Sequence, residues 1–380
     1  MSWPLVSIND VAKVVTGKTP SKKEEDNFGG DIPFVTPGEL GKDIYVGITP
    51  QTLSAKGASA IKLIPKNSVM VCCIGSLGKV SIAARELGTN QQINSVVFDE
   101  ELVDPKFGYY ALGRLKPKME AIAPSTTVAI INKSNFEALE IPFPPLKEQK
   151  RIAAILDKAD NLRRKRQQAI QLADEFLRAV FLDMFGDVIT SEENVASLGD
   201  IVNLDAKMVD PTQEKFADLV HIGPDRIAKE SGKLLPALTA REEGLISKKF
   251  LFNSEYVLYS KIRPYLRKCA LAEGEGLCSA DMYPIRPVEG KATKEFIWML
   301  LLSDYFTNYT MTLPDRASIP KLNKTELKDF QFKVPSINAQ RKFSEVVKKL
   351  LENNYAVVSG VEAGEELFSS ISQKAFSGQL

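Results

Sequence analysis

Between Tyr259 and Lys268 the chain reads "YSKIRPYLRK", setting Tyr259, Lys261, Arg263, Tyr265, Arg267 and Lys268 around a predicted passage from strand to turn. Cations interleaved with aromatic rings suit contact with nucleic acid, because Arg and Lys hydrogen-bond to base edges and pair with phosphates. Further candidates are Lys18, Thr19, Ser21, Lys22 and Lys23 near the start, Ser76 and Lys79 in "CIGSLGK", and Arg226, Lys248 and Lys249 later. For each, a tight solvated turn or a solvated charged face is the competing reading. "TNQQIN" offers Gln91, Gln92 and Asn94 to adenine edges, although a structural turn suits it better. "RRKR", Arg163 to Arg166, faces either DNA or an acidic partner, or is solvated with the Arg166 stem laid along a helix seam.

Material for catalysis is scarce. "TGKTP" lacks the upstream glycine of a phosphate-binding loop, and "GSLGKVS" has Val80 where Ser or Thr is required. The one histidine, His221 in "LVHIG", reads as a strand residue. Cys72 and Cys73 are adjacent and must face opposite ways on a strand, while Cys269 and Cys278 lack zinc-knuckle spacing, so all four read as reduced thiols. No metal or cofactor is expected in the chain. With 49 basic against 48 acidic side chains, overall charge does not announce a nucleic-acid binder, and any such binding must rest on local clusters. The N-terminus lacks a signal-peptide pattern and no apolar run reaches membrane-spanning length, which points to a cytoplasmic protein without a membrane partner.

The elements that must position these residues come in duplicate. Shifted by 191 residues, "INKSNFEALEIPFPPLKEQKR" falls on "LNKTELKDFQFKVPSINAQRK", pairing Asn132 with Asn323, Pro144 with Pro335 and Gln149 with Gln340. The register continues to Phe185 on Phe376, and nearer the start a shift of 190 places Ser7 and Asp10 on Ser197 and Asp200. After each proline segment comes a helix-forming stretch. Ile152, Ile155, Ala159, Leu162, Arg166, Ala169, Ala173, Phe176 and Val180 form a three-four seam in the first. Phe343, Val346, Leu350, Val357, Leu367 and Ile371 continue the seam in the second, which Gly360 and Gly364 weaken. A helix from Lys147 to Phe185 is about 58 Å long, more than one small domain covers. Antiparallel pairing of the two helices would bury both seams; the alternative is that each packs on its own globule. The expected order is a mixed domain over 1–146, a spacer helix over 147–187, a second mixed domain over 188–335 and a second spacer helix over 336–380. This is an α+β fold with an internal pseudo-two-fold repeat.

At "LEIPFPPLKEQKRIAAILDKAD", preceded by "GKTPSK", "IPFVTPGEL", "IPKNSVMVCCIGSLGKVSIA" and "TNQQI", the chain resembles the DNA-specificity subunit of a type I restriction-modification system. "HIGPDRI", "YVLYSKIRPYLRKCALA" and "QKAFSGQL" extend the resemblance over essentially the whole length. It departs from the family pattern at "INAQRKF", where the second helix begins. The resemblance implies two target-recognition domains that each read half of an interrupted site in double-stranded DNA. It also implies conserved helices that bind two methyltransferase subunits, with restriction and translocase subunits joining. S-adenosylmethionine, ATP and Mg would then act in those partners, and the chain itself would be non-catalytic. Docking on one face of the duplex predicts a gap of about five to eight base pairs between half-sites. Two other classes stay open: an enzyme with an unrecognised site, and a coiled-coil scaffold that reads no DNA.

Overall fold

A computed structural model describes residues 3–123, 128–314 and 320–380, without the side chains of 353–363 and 365. The chain forms two compact units, Met1–Lys165 with Val361–Leu380, and Arg166–Gly360. Each unit therefore takes part of both long helices, Leu146–Ile189 and Ile337–Ser377.

In the first unit a 5-stranded sheet runs in the order Ala12–Thr16, Ile93–Phe98, Val69–Cys72, Val80–Ala83, Tyr45–Val46, antiparallel except for the last pair. Its strands are rich in valine and isoleucine, whose branched side chains pack well on a pleated surface. Alternate residues enter different cores. Val69 and Val71 meet Phe107 and Tyr110 of helix Pro105–Gly113, whereas Met70 and Cys72 meet Val35 and Leu40 on the other face. Cys72 and Cys73 accordingly lie in opposite cores.

In the second unit a 4-stranded antiparallel sheet runs Val202–Asn203, Met282–Pro287, Val257–Ser260, Cys269–Leu271. Helix Lys294–Leu302 covers it, and Phe296, Ile297 and Leu300 are fully buried there. A further 4-stranded sheet runs Met208–Val209, Lys249–Phe252, Gly276–Cys278, His221–Ile222, its last pair parallel.

The repeat seen in the sequence is built with the same hydrogen bonds. Leu5–Ser7 pairs with Glu140–Pro142 as Leu5 to Pro142 and Ser7 to Glu140; Val195–Ser197 pairs with Gln331–Lys333 as Val195 to Lys333 and Ser197 to Gln331. Asn132 and Asn323 cap short helices, their side chains accepting from Asn135 N and Glu326 N. Gln149 and Gln340, both fully buried, act as clips. Gln149 Nε2 donates to Leu102 O and Pro144 O, and its Oε1 accepts from Asp104 N. Gln340 does the same with Lys291 O, Pro335 O and Thr293 N. Asp104 and Thr293 are the N-caps of the helices that cover each sheet, so one amide ties the entry of a long helix to the entry of a domain helix. A buried amide keeps its place only when its donors and acceptors are satisfied.

The start of one long helix and the end of the other share each core. In the first unit Ile152, Ala153 and Leu156 pack in one cluster with Ala375 and Phe376. Arg151 donates to Leu380 O at 3.1 Å, Arg163 lies over the Phe368 ring and Trp3 Nε1 donates to Ala375 O at 2.8 Å, so the segments run antiparallel. In the second unit Leu177, Phe181, Phe185 and Ile189 pack with Phe343 and Val347. The 191-residue shift converts one joint into the other, since Ile152 falls on Phe343 and Phe376 on Phe185.

The burial stripe differs from the expected seam. Ile152 and Phe343 are buried, while Ile155, Ala159, Ala173, Val180, Val346, Leu350 and Ile371 are half-buried. Leu162, Ala169, Phe176 and Leu367 are exposed, Phe176 by 53% and Leu367 by 52%. Val357 lies outside the described side chains. The reason is the globule: near each helix end it covers the row at four-residue spacing, Ile152, Leu156, Asp160 and then Phe181, Phe185, Ile189, and draws burial away from the three-four seam. The helix also runs past Phe185 to Ile189, because nothing in "GDVI" stops it before Thr190.

Candidate nucleic-acid interface

A hairpin turn follows Val69–Cys72 in the first unit and Val257–Ser260 in the second, with matching bonds. Cys72 N donates to Lys79 O and Ser260 N to Lys268 O; Gly75 N donates to Ala129 O and Arg263 N to Pro320 O. Ile74 bridges Ile130 as Ile262 bridges Lys321. The backbone is left-handed at Gly75 and Gly78, with φ of 79° and 74°, and at Arg263 and Arg267, with φ of 49° and 48°. Glycine adopts this conformation freely, whereas a residue with a Cβ gives up about 1 kcal/mol or more. Two arginines held in that region are a local backbone cost.

The second turn presents Arg263 and Tyr265 to solvent, around a short 3-10 segment Pro264–Leu266. Arg267 pairs with Asp304 at 2.6 Å. Lys268 Nζ donates to Pro224 O and draws in the loop of Arg226, while Lys261 Nζ donates to Ala280 O and lies over the Tyr283 ring. Lys321, not singled out by any motif, enters beside Ile262 and pairs with Asp281 at 3.6 Å. Only the repeat could have found it, by placing Lys321 on Ile130.

Some sequence candidates leave the site. Tyr259 is buried against Phe306 with its hydroxyl unpartnered, and burial raises its phenol above the usual range. It occupies a central strand between Met282–Pro287 and Cys269–Leu271, so it is core and not a contact. Lys249 is also buried, its Nζ on Ser247, because it opens the strand Lys249–Phe252 facing inward, while Lys248 just before the strand is exposed.

In the first unit the turn brings together stretches that the sequence showed separately. Thr19 Oγ1 donates to Gln91 Oε1 at 2.7 Å, Gln92 N donates to Asn90 Oδ1, and Cys73 N donates to Gln92 O. Lys18, Thr19 and Gln91 are thus joined to the turn of Ser76 and Lys79. Gly17 is required here, since a Cβ would stand 2.2 Å from Asn90 O. Asn94 is buried and bonded to Thr16 and Cys73, which removes it from readout. Ser21, Lys22 and Lys23 are exposed; Ser21 and Lys18 line a cleft of about 450 Å³ with Glu24 and Lys56.

The "RRKR" arginines are partly engaged in the fold. Arg163 and Arg164 pair at 2.7 Å with the buried Asp160, and Arg164 also donates to Lys42 O and Tyr109. All four cysteines are buried, and burial pushes the Cys73 thiol up to about 12, far from a reactive thiolate. Among the described residues no cluster of His, Cys, Asp or Glu could hold a metal ion, and no helix is long and apolar enough to cross a membrane.

Comparison with known proteins agrees with this duplicated arrangement. The type I restriction modification DNA specificity domain matches residues 2–172 and again 192–357. The type I restriction enzyme EcoDI specificity subunit of Escherichia coli is 24% identical over all of this chain and 89% of its own length. The HindI specificity subunit of Haemophilus influenzae is 32% identical over 41% of this chain and 36% of its own. The crystal structure of a type I restriction-modification S subunit from M. genitalium shares the fold, with a TM-score of 0.62 at 18% identity, covering 99% of this chain and 96% of that one. The chain belongs to the family of type I restriction-modification DNA-specificity subunits.

Proposed function

We propose that each unit reads one half of an interrupted site in double-stranded DNA through its strand-turn element. The first unit uses Lys18, Thr19, Gln91, Ser76 and Lys79; the second uses Arg263, Tyr265 and Arg267, with Lys261, Lys268 and Arg226 beside them. The observation that carries this reading is the same turn built twice, with glycines in one copy and left-handed arginines in the other. A difference at equivalent positions is what two distinct half-targets require. The long helices act as the spacer and as the docking surface for two methyltransferase subunits, joined by restriction and translocase subunits. S-adenosylmethionine, ATP and Mg belong to those partners. With a formal net charge of +1, the chain relies on local cations and on shared phosphate contacts within the complex.

The test is a salt-dependent mobility shift of the complex with methyltransferase subunits, together with mapping of methylated motifs in cells carrying the chain. A bipartite motif whose second block alone changes in the Arg263→Ala variant supports the reading. A complex that ignores duplex DNA at low salt would leave a scaffold without readout.

A further inference from the structure

His221 is the chain's one histidine, 9% exposed, and the recognition elements described so far do not use it. Its Nδ1 lies 2.8 Å from Glu243 Oε2, while Nε2 is buried without a hydrogen-bond partner. The other oxygen of that carboxylate, Oε1, is 3.8 Å from the Arg226 guanidinium. Arg226 is held lightly: one NH donates to Pro236 O at 2.9 Å, Nε lies 3.2 Å from Asp225 without a hydrogen bond, and the side chain keeps 32% of its exposure. Its loop is the one that Lys268 of the recognition turn draws in.

The first unit lacks this relay. Phe34 takes the place of His221, since Phe34 N donates to Gln51 O as His221 N donates to Leu238 O, and the next residue of each strand accepts from Asn90 N or Ser279 N. Glu39 there stands where Arg226 stands here, and it is turned onto Thr36.

We infer that His221 is a positioning residue for the second half-site: through Glu243 it sets the Arg226 guanidinium toward the base edges of the second block. The inference rests on the DNA-reading function proposed above. The carboxylate alone would draw Arg226 inward; anchored at Oε2 by the imidazole, it holds the arginine at ion-pair range with a donor to spare. Among the described residues the neighbouring charges are engaged elsewhere. Glu242 is bonded to Thr239, Arg241 to Glu214 and Asp218, and strand Gly276–Cys278 contributes a thiol.

The test uses the full chain with methyltransferase subunits and a duplex carrying the methylated motif found in cells, against the same duplex with its second block scrambled. His221→Phe is expected to weaken binding of the intact duplex about threefold to tenfold and to leave the scrambled duplex unchanged. His221→Gln, which keeps a donor for Glu243, should restore most of the loss. Adding His221→Phe to Arg226→Ala should change nothing further. If His221→Phe does not fold, the ring signal of the chain's single labelled histidine supplies the readout: it should shift on duplex binding in the wild type and not in Arg226→Ala. Equal affinity of His221→Phe and wild type, additive losses in the double variant, or the same ring shift with and without Arg226 would overturn the inference. Failure of the wild-type complex to bind either duplex would instead remove the DNA-reading function, and the inference with it.

Discussion

The turn at Gly75–Gly78 and the turn at Arg263–Arg267 share a hydrogen-bond frame and differ in what hangs on it. The frame is cheap with glycine and strained with arginine. Around the turns the same contrast recurs: the first unit sets Lys18 and Lys79 among Thr19, Ser76 and Gln91, and the second sets Lys261 and Lys321 beside Arg226. Away from the turns the copies converge, with capping asparagines, buried glutamine clips and identical strand registers. The copies thus differ at the turns proposed to read DNA, and what they share holds the helices to the globules.

The largest expected effect compares the joints. Phe343→Ala should destabilise the second unit by about 3–5 kcal/mol, more than Ile152→Ala costs the first, because Phe343 packs against both Phe181 and Phe185 at 5.6 and 5.5 Å. Urea unfolding monitored unit by unit checks this; a larger loss for Ile152→Ala would break the comparison. Next come the clips. Gln149→Leu and Gln340→Leu each strand buried backbone groups and should cost about 2–3 kcal/mol, alike within experimental error. Unequal losses in thermal melts would show that the clips are not equivalent.

The turns should trade stability against affinity. Arg263→Ala is expected to lose about 1–3 kcal/mol of DNA binding and to relax specificity in the second block only. Arg263→Gly should lose as much binding yet gain about 1 kcal/mol of stability, as the strain is released. Paired binding and melting curves decide it, and a destabilised glycine variant would remove strain from the account.

The smallest effect is electrostatic. Hydrogen bonds from Arg286 and then Tyr256 lower the Asp205 carboxyl below its ordinary range, at a position where the first unit has Val15. A depressed carboxylate stabilises above its unfolded pKa and loses that contribution as pH falls through its folded value. Asp205→Asn should cost less than about 1 kcal/mol at neutral pH, since the pair is largely exposed, and nothing in acid. Melts at both conditions check the sign.

Much of this was legible in the sequence, for physical reasons. The 191-residue repeat paired Gln149 with Gln340 and Asn132 with Asn323, and these identities recur because buried amides and N-caps tolerate few residue types. Adjacent cysteines on a strand had to split between faces, as Cys72 and Cys73 do. Other features were hidden. Tyr259 and Lys249 looked like contacts because a motif is read along the chain, while a strand's facing depends on which neighbour covers it. The helix seam was misplaced around Leu162, Ala169, Phe176 and Leu367, since periodicity gives the spacing of a stripe and not which of two adjacent stripes a globule covers. The relay of His221, Glu243 and Arg226 joins residues that no local pattern connects.

Each unit is completed by the start of one long helix and the end of the other, in a form repeated twice. A half-length chain, Met1 to Asp187, carries one globule with a helix start and a helix end that cannot both serve the same core. Two such chains should therefore complete each other as an isologous dimer, each lending its Leu177–Phe185 segment to the other. Light scattering of the purified half is the direct measurement. A mass of twice the half-chain, persisting on dilution to micromolar concentration, is the expected result. A folded species of single mass at high concentration would contradict the interchange of helix ends on which the account rests.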